Sequence, residues 1–276
     1  MNKSIDDVRS FWENNPLWVG ESHYEPGSRE FFEEHRRVVI NDCLAGRFDG
    51  RILPFSNKHR KVLDLGCGPG FWTVELIQHG CKNVVAADLT SQALELTKKR
   101  LSIHGLKAQL SQQNAEAMTF PDGDFSHVNC QGVIHHTPNP EACLKEMARV
   151  LEKDGTACIS VYYRNIFLRT WPIFKYLVRF VTSLTGGGLY GRGREKIFEQ
   201  SDTAEIVRIY DGADNPIGKS YSKRQFKSIF SPYFNVENIF LHFFPARALP
   251  LKIPQALHLF LDRYFGFVIY ATLRKK

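Results

Sequence analysis

The chain contains 276 residues, of which 43% are hydrophobic, 24% charged and 13% aromatic. This ordinary globular composition excludes wholesale disorder and a fibrous repeat. The formal net charge is +7, and most of it lies between residues 164 and 227, where 12 Lys and Arg stand against 6 Asp and Glu. Such a basic segment is either a solvated face or a surface for an anionic substrate, a membrane or nucleic acid.

Cysteine usage and the first residues of the chain bear on its compartment. The six cysteines include no Cys-x-x-Cys pair, so the sequence predicts neither a disulfide scaffold nor a zinc site, and we expect no metal. The first ten residues lack the apolar core of a signal peptide, and the most apolar stretch, residues 161–184, contains four basic residues. We therefore expect a cytoplasmic protein with reduced cysteines.

Residues 1–55 are predicted to form an N-terminal helical cap. Ser4 and Asp7 have the spacing of a capping box for a first helix. Ser28 follows a Pro-Gly break and is a candidate N-cap for a second helix over residues 29–44. This cap precedes the part of the chain in which strands and helices alternate.

Residues 56–163 alternate short apolar runs with helical segments. Such alternation is typical of βαβ units, which place helices on both faces of a parallel sheet. The five strands predicted here cover residues 61–65, 83–88, 107–112, 125–130 and 156–163. The helices predicted between them cover residues 71–79, 91–104 and 141–151.

Residues 164–220 interrupt this rhythm, and we interpret them as a partly helical insertion that forms a lid or binds a substrate. Residues 221–276 resume the pattern with a helix over 222–230 and last strands over 236–244 and 266–273. The predicted fold class is therefore α/β: a doubly wound, mostly parallel seven-stranded sheet with an N-terminal cap and an insertion after strand five.

A glycine-rich loop, residues 64–70, follows the first predicted strand and opens a helix. Glycines at such a turn let the backbone approach a ligand closely. The spacing is Gly-x-Gly-x-Gly, so Phe71 stands where a dinucleotide fingerprint needs its third glycine, and no Lys-Ser/Thr follows for a P-loop. Asp64, two residues before Gly66, would repel a pyrophosphate and would suit a cationic ligand.

Three further segments lie at the ends of predicted strands. Asp88 ends the second strand, and Asn114-Ala115-Glu116 follows the third. The run from Cys130 to His136 follows the fourth. Because ligands of open α/β sheets bind at the carboxyl ends of the strands, these side chains are expected to share one site.

On these motifs the sequence resembles the class I S-adenosylmethionine-dependent methyltransferases, in the subgroup that includes quinone and other small-molecule methylases. The resemblance covers about residues 55–163 and the last helix and strands, and leaves out the insertion. It implies a Rossmann-like fold, S-adenosyl-L-methionine as cofactor and S-adenosyl-L-homocysteine as product. It also implies that Asp88 takes both ribose hydroxyls, which suits a carboxylate acceptor, and that Asn114 contacts the adenine edge.

The resemblance thus implies a set of cofactor-binding residues along the strand ends. They are Asp64, Gly66, Cys67, Gly68, Gly70, Asp88, Leu89, Asn114, Ala115, Cys130 and Gln131. Trp12 of the cap is added because an aromatic ring over a sulfonium is attractive through a cation–π contact. Packing of the cap on the core is the alternative role for this ring.

Candidate catalytic residues come from the loop after the fourth strand and from the insertion. His135 or His136 could take a proton from the acceptor, and His135 is preferred because the second histidine begins the turn toward Pro138. Tyr210 and Asp211 could bind or deprotonate the acceptor. The alternative for the histidines is a structural turn that only lines the pocket.

The insertion also bears on the acceptor. Its aromatic and aliphatic residues favour a small apolar or amphiphilic acceptor, methylated most readily at oxygen. Arg208 could hold a carboxylate or phosphate if the acceptor is anionic. The segment 166–181 mixes aromatics with bases, so it is either a lid helix packed on the core or a surface helix that admits a lipid-like acceptor from a membrane. The oligomeric state is left open.

Two other functions remain as alternatives. The positive charge suggests an RNA or other nucleic-acid methyltransferase, but residues 129–132 lack the Asp/Asn-Pro-Pro-aromatic motif and the chain has no Pro-Cys pair, so a nucleic-acid partner is disfavoured. A catalytically inactive S-adenosylmethionine-binding protein is the second alternative. The intact glycine loop and Asp88 argue against it.

Overall fold

The computed structural model describes residues 3–53, 60–185, 194–246, 249 and 251–276, with only the backbone for 181, 182, 184, 185 and 195. Predicted cap residues 54 and 55 and the insertion's residues 186–193 lie outside these ranges. The strands are β1 (Lys61–Leu65), β2 (Asn83–Asp88), β3 (Gln109–Gln112), β4 (Phe125–Gln131), β5 (Leu151–Tyr163), β6 (Ser220–Tyr221), β7 (Phe234–His242) and β8 (Val268–Lys275). The α-helices are α1 (Ile5–Asn14), α2 (Arg29–Val38), α3 (Phe71–Gln78), α4 (Ser91–Ile103), α5 (Pro140–Val150), α6 (Ile166–Arg169), α7 (Trp171–Thr185), α8 (Thr203–Tyr210), α9 (Lys223–Phe230) and α10 (Gln255–Phe265).

The strands form one sheet in the order β3-β2-β1-β4-β5-β8-β7, parallel except for β8, which runs antiparallel to both neighbours. The predicted doubly wound, mostly parallel fold is confirmed. The described strands number eight because β6 pairs with the end of β5 at Tyr162 and Tyr163. A two-residue strand carries no periodic signal, so the sequence predicted only seven.

The central strands β1 and β4 are buried along almost their whole length. Every residue of β4 from Phe125 to Cys130 is buried, as are Val62 to Leu65 of β1. A parallel strand covered by helices is buried on both faces, so buried and exposed residues do not alternate. The buried polar residues of β4, Ser126, His127 and Asn129, each make a side-chain hydrogen bond. Strand β5 begins at Leu151, five residues before its predicted start at 156, directly after α5.

The cap lies against the core through specific polar contacts. The Ser4–Asp7 capping box and the Ser28 N-cap are confirmed. At the other end of α1, the Glu13 carboxylate accepts hydrogen bonds from the backbone N–H groups of Ser91 (2.9 Å) and Gln92 (3.2 Å). A carboxylate at the N-terminus of α4 complements the helix dipole, so this contact holds α1 over the carboxyl edge of the sheet.

The insertion forms a small apolar cluster of its own, in which Leu168, Trp171, Ile206 and Val207 are buried. Lys175, one of the basic residues of this segment, is buried. Its ammonium donates to Gln200 O (3.0 Å) and Ser201 Oγ (2.9 Å). The exposed face of α7 carries large apolar side chains, Ile173, Tyr176, Leu177 and Phe180, beside the exposed Arg179. None of the described helices is long and apolar enough to cross a bilayer.

A buried histidine joins the cap to the C-terminal segment. His242 at the end of β7 lies between Asp262 of α10 (Nδ1 to Oδ2, 2.5 Å) and Asp49 of the cap (Nε2 to Oδ2, 3.0 Å). Burial would lower the pKa of His242, but the two carboxylate contacts outweigh it and raise that pKa. The imidazolium therefore places a positive charge between two carboxylates that would otherwise face each other, and Arg51 pairs with Asp49 as well.

Replacing His242 with glutamine should lower the free energy of unfolding by about 2 kcal/mol near pH 6, because Asp262 loses the imidazolium and Asp49 is left with Arg51. A pKa raised in the folded state contributes stability below the unfolded value of about 6.5 and loses it as the pH rises through the folded value. The difference between wild type and variant, measured by urea unfolding, should shrink from about pH 6 to about pH 9. A difference that is the same at both pH values would contradict this assignment.

Candidate active site

A cavity of about 350 Å³ opens at the carboxyl ends of β1, β2, β4 and β5, between the cap and the insertion. Eleven of the predicted site residues line it. They are Trp12, Gly66, Gly68, Asp88, Leu89, Asn114, Ala115, Gln131, His135, Tyr210 and Asp211. Four others, Asp64, Cys67, Gly70 and Cys130, are not among the lining residues and lie behind the wall.

The glycine loop is shaped for close approach by a ligand. Gly66 has φ of 72°, and a Cβ on it would lie 2.2 Å from Val133 Cγ2. The N–H groups of Gly66 and Cys67 both donate to Ala87 O, at 2.7 and 3.0 Å, which fixes the loop to β2. The backbone of Gly66 and Gly68 therefore forms part of the cavity wall where side chains would fill it.

Substituting Gly66 with alanine should destabilise the protein by about 2 kcal/mol or more and weaken binding of S-adenosylhomocysteine. A left-handed alanine alone costs roughly 1–2 kcal/mol, and the clash with Val133 adds to it. Gly105→Ala is the matched control, because Gly105 also has a positive φ, 64°, but open space around the new Cβ. Thermal unfolding and calorimetry should show a binding loss for Gly66→Ala alone; equal effects of the two variants would contradict the clash.

Asp64 supports the loop from below. Its carboxylate accepts from Thr73 Oγ1 (2.5 Å) and Asn129 Nδ2 (2.8 Å) and is buried. Burial raises the pKa of Asp64 to about 6, against the hydrogen bonds from Thr73 and Asn129 that lower it. The acid predicted to face a cationic ligand thus lies one layer beneath the cavity, where it orients the first turn of α3.

Asp88 lies on the cavity wall at the end of β2. Its Oδ2 accepts from Gly68 N (3.0 Å), and its Oδ1 accepts from Thr90 N (3.0 Å) and Thr90 Oγ1 (2.8 Å). Burial raises the pKa of Asp88, while these hydrogen bonds oppose the shift. A carboxylate has about four acceptor sites, so one hydroxyl fits as the site stands and a second fits when the Thr90 hydroxyl turns away.

Trp12 and Asn114 lie on two further parts of the cavity wall. The Trp12 ring on α1 lies edge-on to His136, with centroids 5.2 Å apart, and covers the site from the cap side. Asn114 Oδ1 accepts from Glu116 N (3.0 Å), which holds the turn after β3 against the cavity. These residues fit the nucleoside implied by the sequence resemblance: a carboxylate for ribose, an amide beside the base and glycines beneath.

His135 and His136 differ in the hydrogen-bond partners of their ring nitrogens. His136 Nδ1 lies 2.7 Å from Ile217 O, so it must donate, and its Nε2 lies 3.3 Å from Asp211 Oδ2. Both nitrogens of His136 are therefore engaged. His135 lies beside it, and within the described part of the chain its ring makes no hydrogen bond and its Nδ1 is fully buried. Burial, reinforced by His136 and Lys219, holds the pKa of His135 well below its usual value, so the ring stays neutral.

Asp211 connects the insertion to this polar end of the cavity. Both of its oxygens accept from the Tyr162 hydroxyl, at 2.9 and 2.8 Å. Burial alone would raise the pKa of Asp211, but the contacts with His136 and Tyr162 and the charge of Arg194 hold it below its usual value. The tyrosine was not predicted as a site residue, although its place at the carboxyl end of β5 follows the strand-end rule that identified the others.

Arg194 and Glu21, two charged residues of the cavity wall, were not identified from the sequence. Arg194 of the insertion makes a two-fold contact with Glu21 of the cap, at 3.0 Å each, and lies over the Tyr210 ring at 4.7 Å. This pair bridges the cavity from insertion to cap.

Arg208, predicted to hold an anionic group, is instead paired with Glu205 at 2.6 Å and donates to the backbone oxygens of Ala213 and Asn215.

Comparisons with known proteins agree with this geometry. Residues 62–155 match the family described as "Methyltransferase domain". The chain is 34% identical over 108 residues to the ubiquinone biosynthesis O-methyltransferase of Azoarcus sp., covering 38% of this chain and 46% of that protein. It is 27% identical over 121 residues to the chloroplastic 2-methyl-6-phytyl-1,4-hydroquinone methyltransferase 1 of Oryza sativa subsp. japonica, covering 41% and 36%. The crystal structure of an S-adenosylmethionine-dependent methyltransferase from Methanosarcina mazei matches with a TM-score of 0.54 at 17% identity, over 80% of this chain and 93% of that chain.

The family match covers only residues 62–155 of the chain. The chain spans 36–60% of the length of the first four curated relatives, and the insertion contributes little to the family match. The structural likeness, at 17% identity, shows the fold. S-adenosylmethionine is the cofactor that family and fold imply, and the carboxylate, amide and glycine backbone of the cavity fit it. Residues 62–155 therefore match a methyltransferase domain, and the chain has the fold of S-adenosylmethionine-dependent methyltransferases.

Proposed function

We propose that the protein transfers a methyl group from S-adenosylmethionine to a hydroxyl oxygen of a small, uncharged amphiphilic acceptor. The observation that carries the proposal is His135: a neutral, unpaired imidazole in the same cavity as Asp88 and the glycine loop. The names of the two curated relatives, which refer to a ubiquinone-pathway O-methyltransferase and a hydroquinone methyltransferase, support an aromatic hydroxyl as the acceptor group.

The bound cofactor supplies a methyl group already activated on a sulfonium, which leaves binding, orientation and proton transfer to the chain. In this proposal Asp88 binds the ribose, Asn114 and Ala115 contact the base, and the loop at Gly66 and Gly68 lies beneath the nucleoside. Trp12 excludes water from the cap side. Holding two reactants aligned contributes on the order of 7–11 kcal/mol to lowering a barrier.

His135 accepts the proton of the acceptor hydroxyl in this proposal. Its ring is neutral at physiological pH, and no described side chain hydrogen-bonds to it. Because Nδ1 is fully buried, Nε2 is the nitrogen that takes the proton in this proposal. His136 is fixed by Ile217 and Asp211 and positions the neighbouring ring. Asp211, with Tyr162 and Tyr210, forms the polar wall against which the hydroxyl is oriented.

The charge of the wall favours a neutral acceptor over an anionic one. Among the described residues that line the cavity, Arg194 is the one Lys or Arg, and it is already paired with Glu21. An added carboxylate or phosphate would have to displace that pair, which is buried on both sides.

Each predicted segment has its own role in the proposed function. We propose that residues 1–55 cover the cofactor, 56–163 bind it, 164–220 select the acceptor and 221–276 complete the sheet. Contact with a membrane surface is part of the proposal, supported by exposed apolar residues on α7 and by Leu257, Phe260 and Tyr264 on α10. The free cysteines, five of them buried, support a reducing cytoplasmic location.

The test is transfer of labelled methyl from S-adenosylmethionine to defined acceptors. Catechols and hydroquinones should be labelled at oxygen, identified by mass spectrometry, and Asp88→Ala should abolish the label. Parallel incubations with total RNA and with a lipid extract identify the competing outcomes. Label on RNA, or cofactor binding without transfer to any acceptor, would overturn the proposal.

A further inference from the structure

A second cavity, of about 220 Å³, lies within the insertion beside the first. We name it the apolar chamber. Its wall comes from α6 and α7 (Phe167, Phe174), from α8 (Val207) and from the segment after β7 (Phe243, Phe244). Among the described residues that line it, none carries a charge. The chamber lies outside residues 62–155, so the family match does not account for it.

The chamber and the methyltransfer cavity adjoin. Tyr162, Tyr210 and Phe243 line both of them. Ring centroids are 5.8 Å apart for Tyr162–Tyr210 and 6.3 Å for Tyr210–Phe243, so side chains separate the two spaces. Tyr162 directs its hydroxyl to Asp211 in the polar cavity, while its ring borders the apolar one.

Two polar groups in the chamber wall are already hydrogen-bonded. Trp171 Nε1 donates to Ile197 O at 3.3 Å, and the Tyr162 hydroxyl donates to Asp211. A space of this kind offers water few hydrogen bonds and stays dry. Protein cores are close-packed, and an unfilled apolar void destabilises in proportion to its volume. An apolar ligand part would relieve that cost.

We propose that the apolar chamber binds the hydrocarbon tail of the methyl acceptor and sets the length of tail that is accepted. This inference rests on the proposed function. The acceptor is then an aromatic hydroxyl compound with an alkyl tail. The hydroxyl lies at His135 and Asp211, and the tail enters the chamber where Tyr162, Tyr210 and Phe243 meet, once these rings turn apart. Leu249, 38% exposed, also lines the chamber, so longer tails leave toward the protein surface there.

The probes are 4-n-alkylcatechols from methyl to octyl, titrated by calorimetry into the protein saturated with S-adenosylhomocysteine. Each buried methylene is worth about 0.8 kcal/mol, so Kd should fall about fourfold per added carbon until the chamber is full. The heat-capacity change should become more negative over the same range. A Kd that does not depend on tail length would overturn the inference.

Three variants locate the effect. Val207→Phe narrows the chamber, so the length at which Kd stops improving should become shorter. Phe174→Leu widens it and should move that length to longer tails; it decides the question if Val207→Phe fails to fold, which thermal unfolding will show. Ala204→Phe is the matched control, because Ala204 lies on the exposed face of α8 and lines neither cavity. If the tail length at which Kd stops improving is the same in folded Val207→Phe, in Phe174→Leu and in the wild type, the inference is overturned.

Methyl transfer measured on the same probes separates this inference from the proposed function. Tail-dependent binding that shifts with the variants, without any labelled product, supports the chamber and rejects the methylation of aromatic hydroxyls. Labelled product with tail-independent binding supports that reaction and rejects the chamber as a tail site.

Discussion

Replacing His135 with alanine should lower kcat for the proposed methyl transfer by about 10²–10⁴, the usual contribution of a positioned general base. The affinity for S-adenosylhomocysteine, measured by calorimetry, should change little, because the imidazole lies at the acceptor end of the cavity among His136, Tyr162 and Asp211. Removing an unpaired buried ring should not cost a hydrogen bond. A loss of stability with unchanged kcat would show that the ring only packs.

The pH dependence of the wild type gives an independent readout. The pKa of His135 is held well below its usual value by burial, so the ring is already neutral at pH 6 and above. The kcat/KM profile should therefore show no inflection near pH 6.5 from this group and should fall only at lower pH, as the ring becomes protonated. His136→Ala is the contrasting variant, and it should lower Tm, because it removes one hydrogen bond from Ile217 and another from Asp211.

The fold was predictable because its signals are local. Buried runs such as residues 62–65, the cap at Ser4 and the breaks after helices each report on their own neighbourhood, and alternation of strand and helix implies a parallel sheet. The strand-end rule then collected Asp88, Asn114 and His135 at one edge without knowledge of any contact. These three residues line the cavity together, whereas Trp12, Glu21 and Arg194 reach it from the cap and the insertion.

The features of the site that the sequence did not predict depend on residues that are distant in the chain. Asp64 was expected at the cavity, but Thr73 and Asn129, the latter 65 residues later, hold it beneath the surface. Ile217 and Asp211 occupy the ring nitrogens of His136 and therefore leave His135 as the candidate base. No sequence spacing connects these two residues to strand β4. Arg208 is different, since Glu205 precedes it by three residues on α8 and helix spacing could have shown the pair.

Replacing Asp88 with alanine should weaken binding of S-adenosylhomocysteine by about 100-fold or more. Two hydrogen bonds from ribose hydroxyls to a charged acceptor are worth about 1.5–3 kcal/mol each, and the variant loses both. Asp88→Asn keeps one acceptor oxygen but loses the charge, so it should lie between wild type and alanine. Because burial raises the pKa of Asp88, affinity in the wild type should also decrease as the pH falls through that raised value.

The control for Asp88→Ala must remove an aspartate from the same sheet without touching the cavity. Asp124 precedes β4 at the opposite, amino end of the strands and is paired with Lys61 at 2.6 Å. Asp124→Ala should cost about 0–1 kcal/mol of stability as a partly exposed ion pair and leave cofactor affinity unchanged. If calorimetry finds equal affinities for Asp88→Ala and Asp124→Ala, the carboxylate at the end of β2 does not bind the ribose, and the nucleoside must lie elsewhere than across Gly66, Gly68 and Asn114.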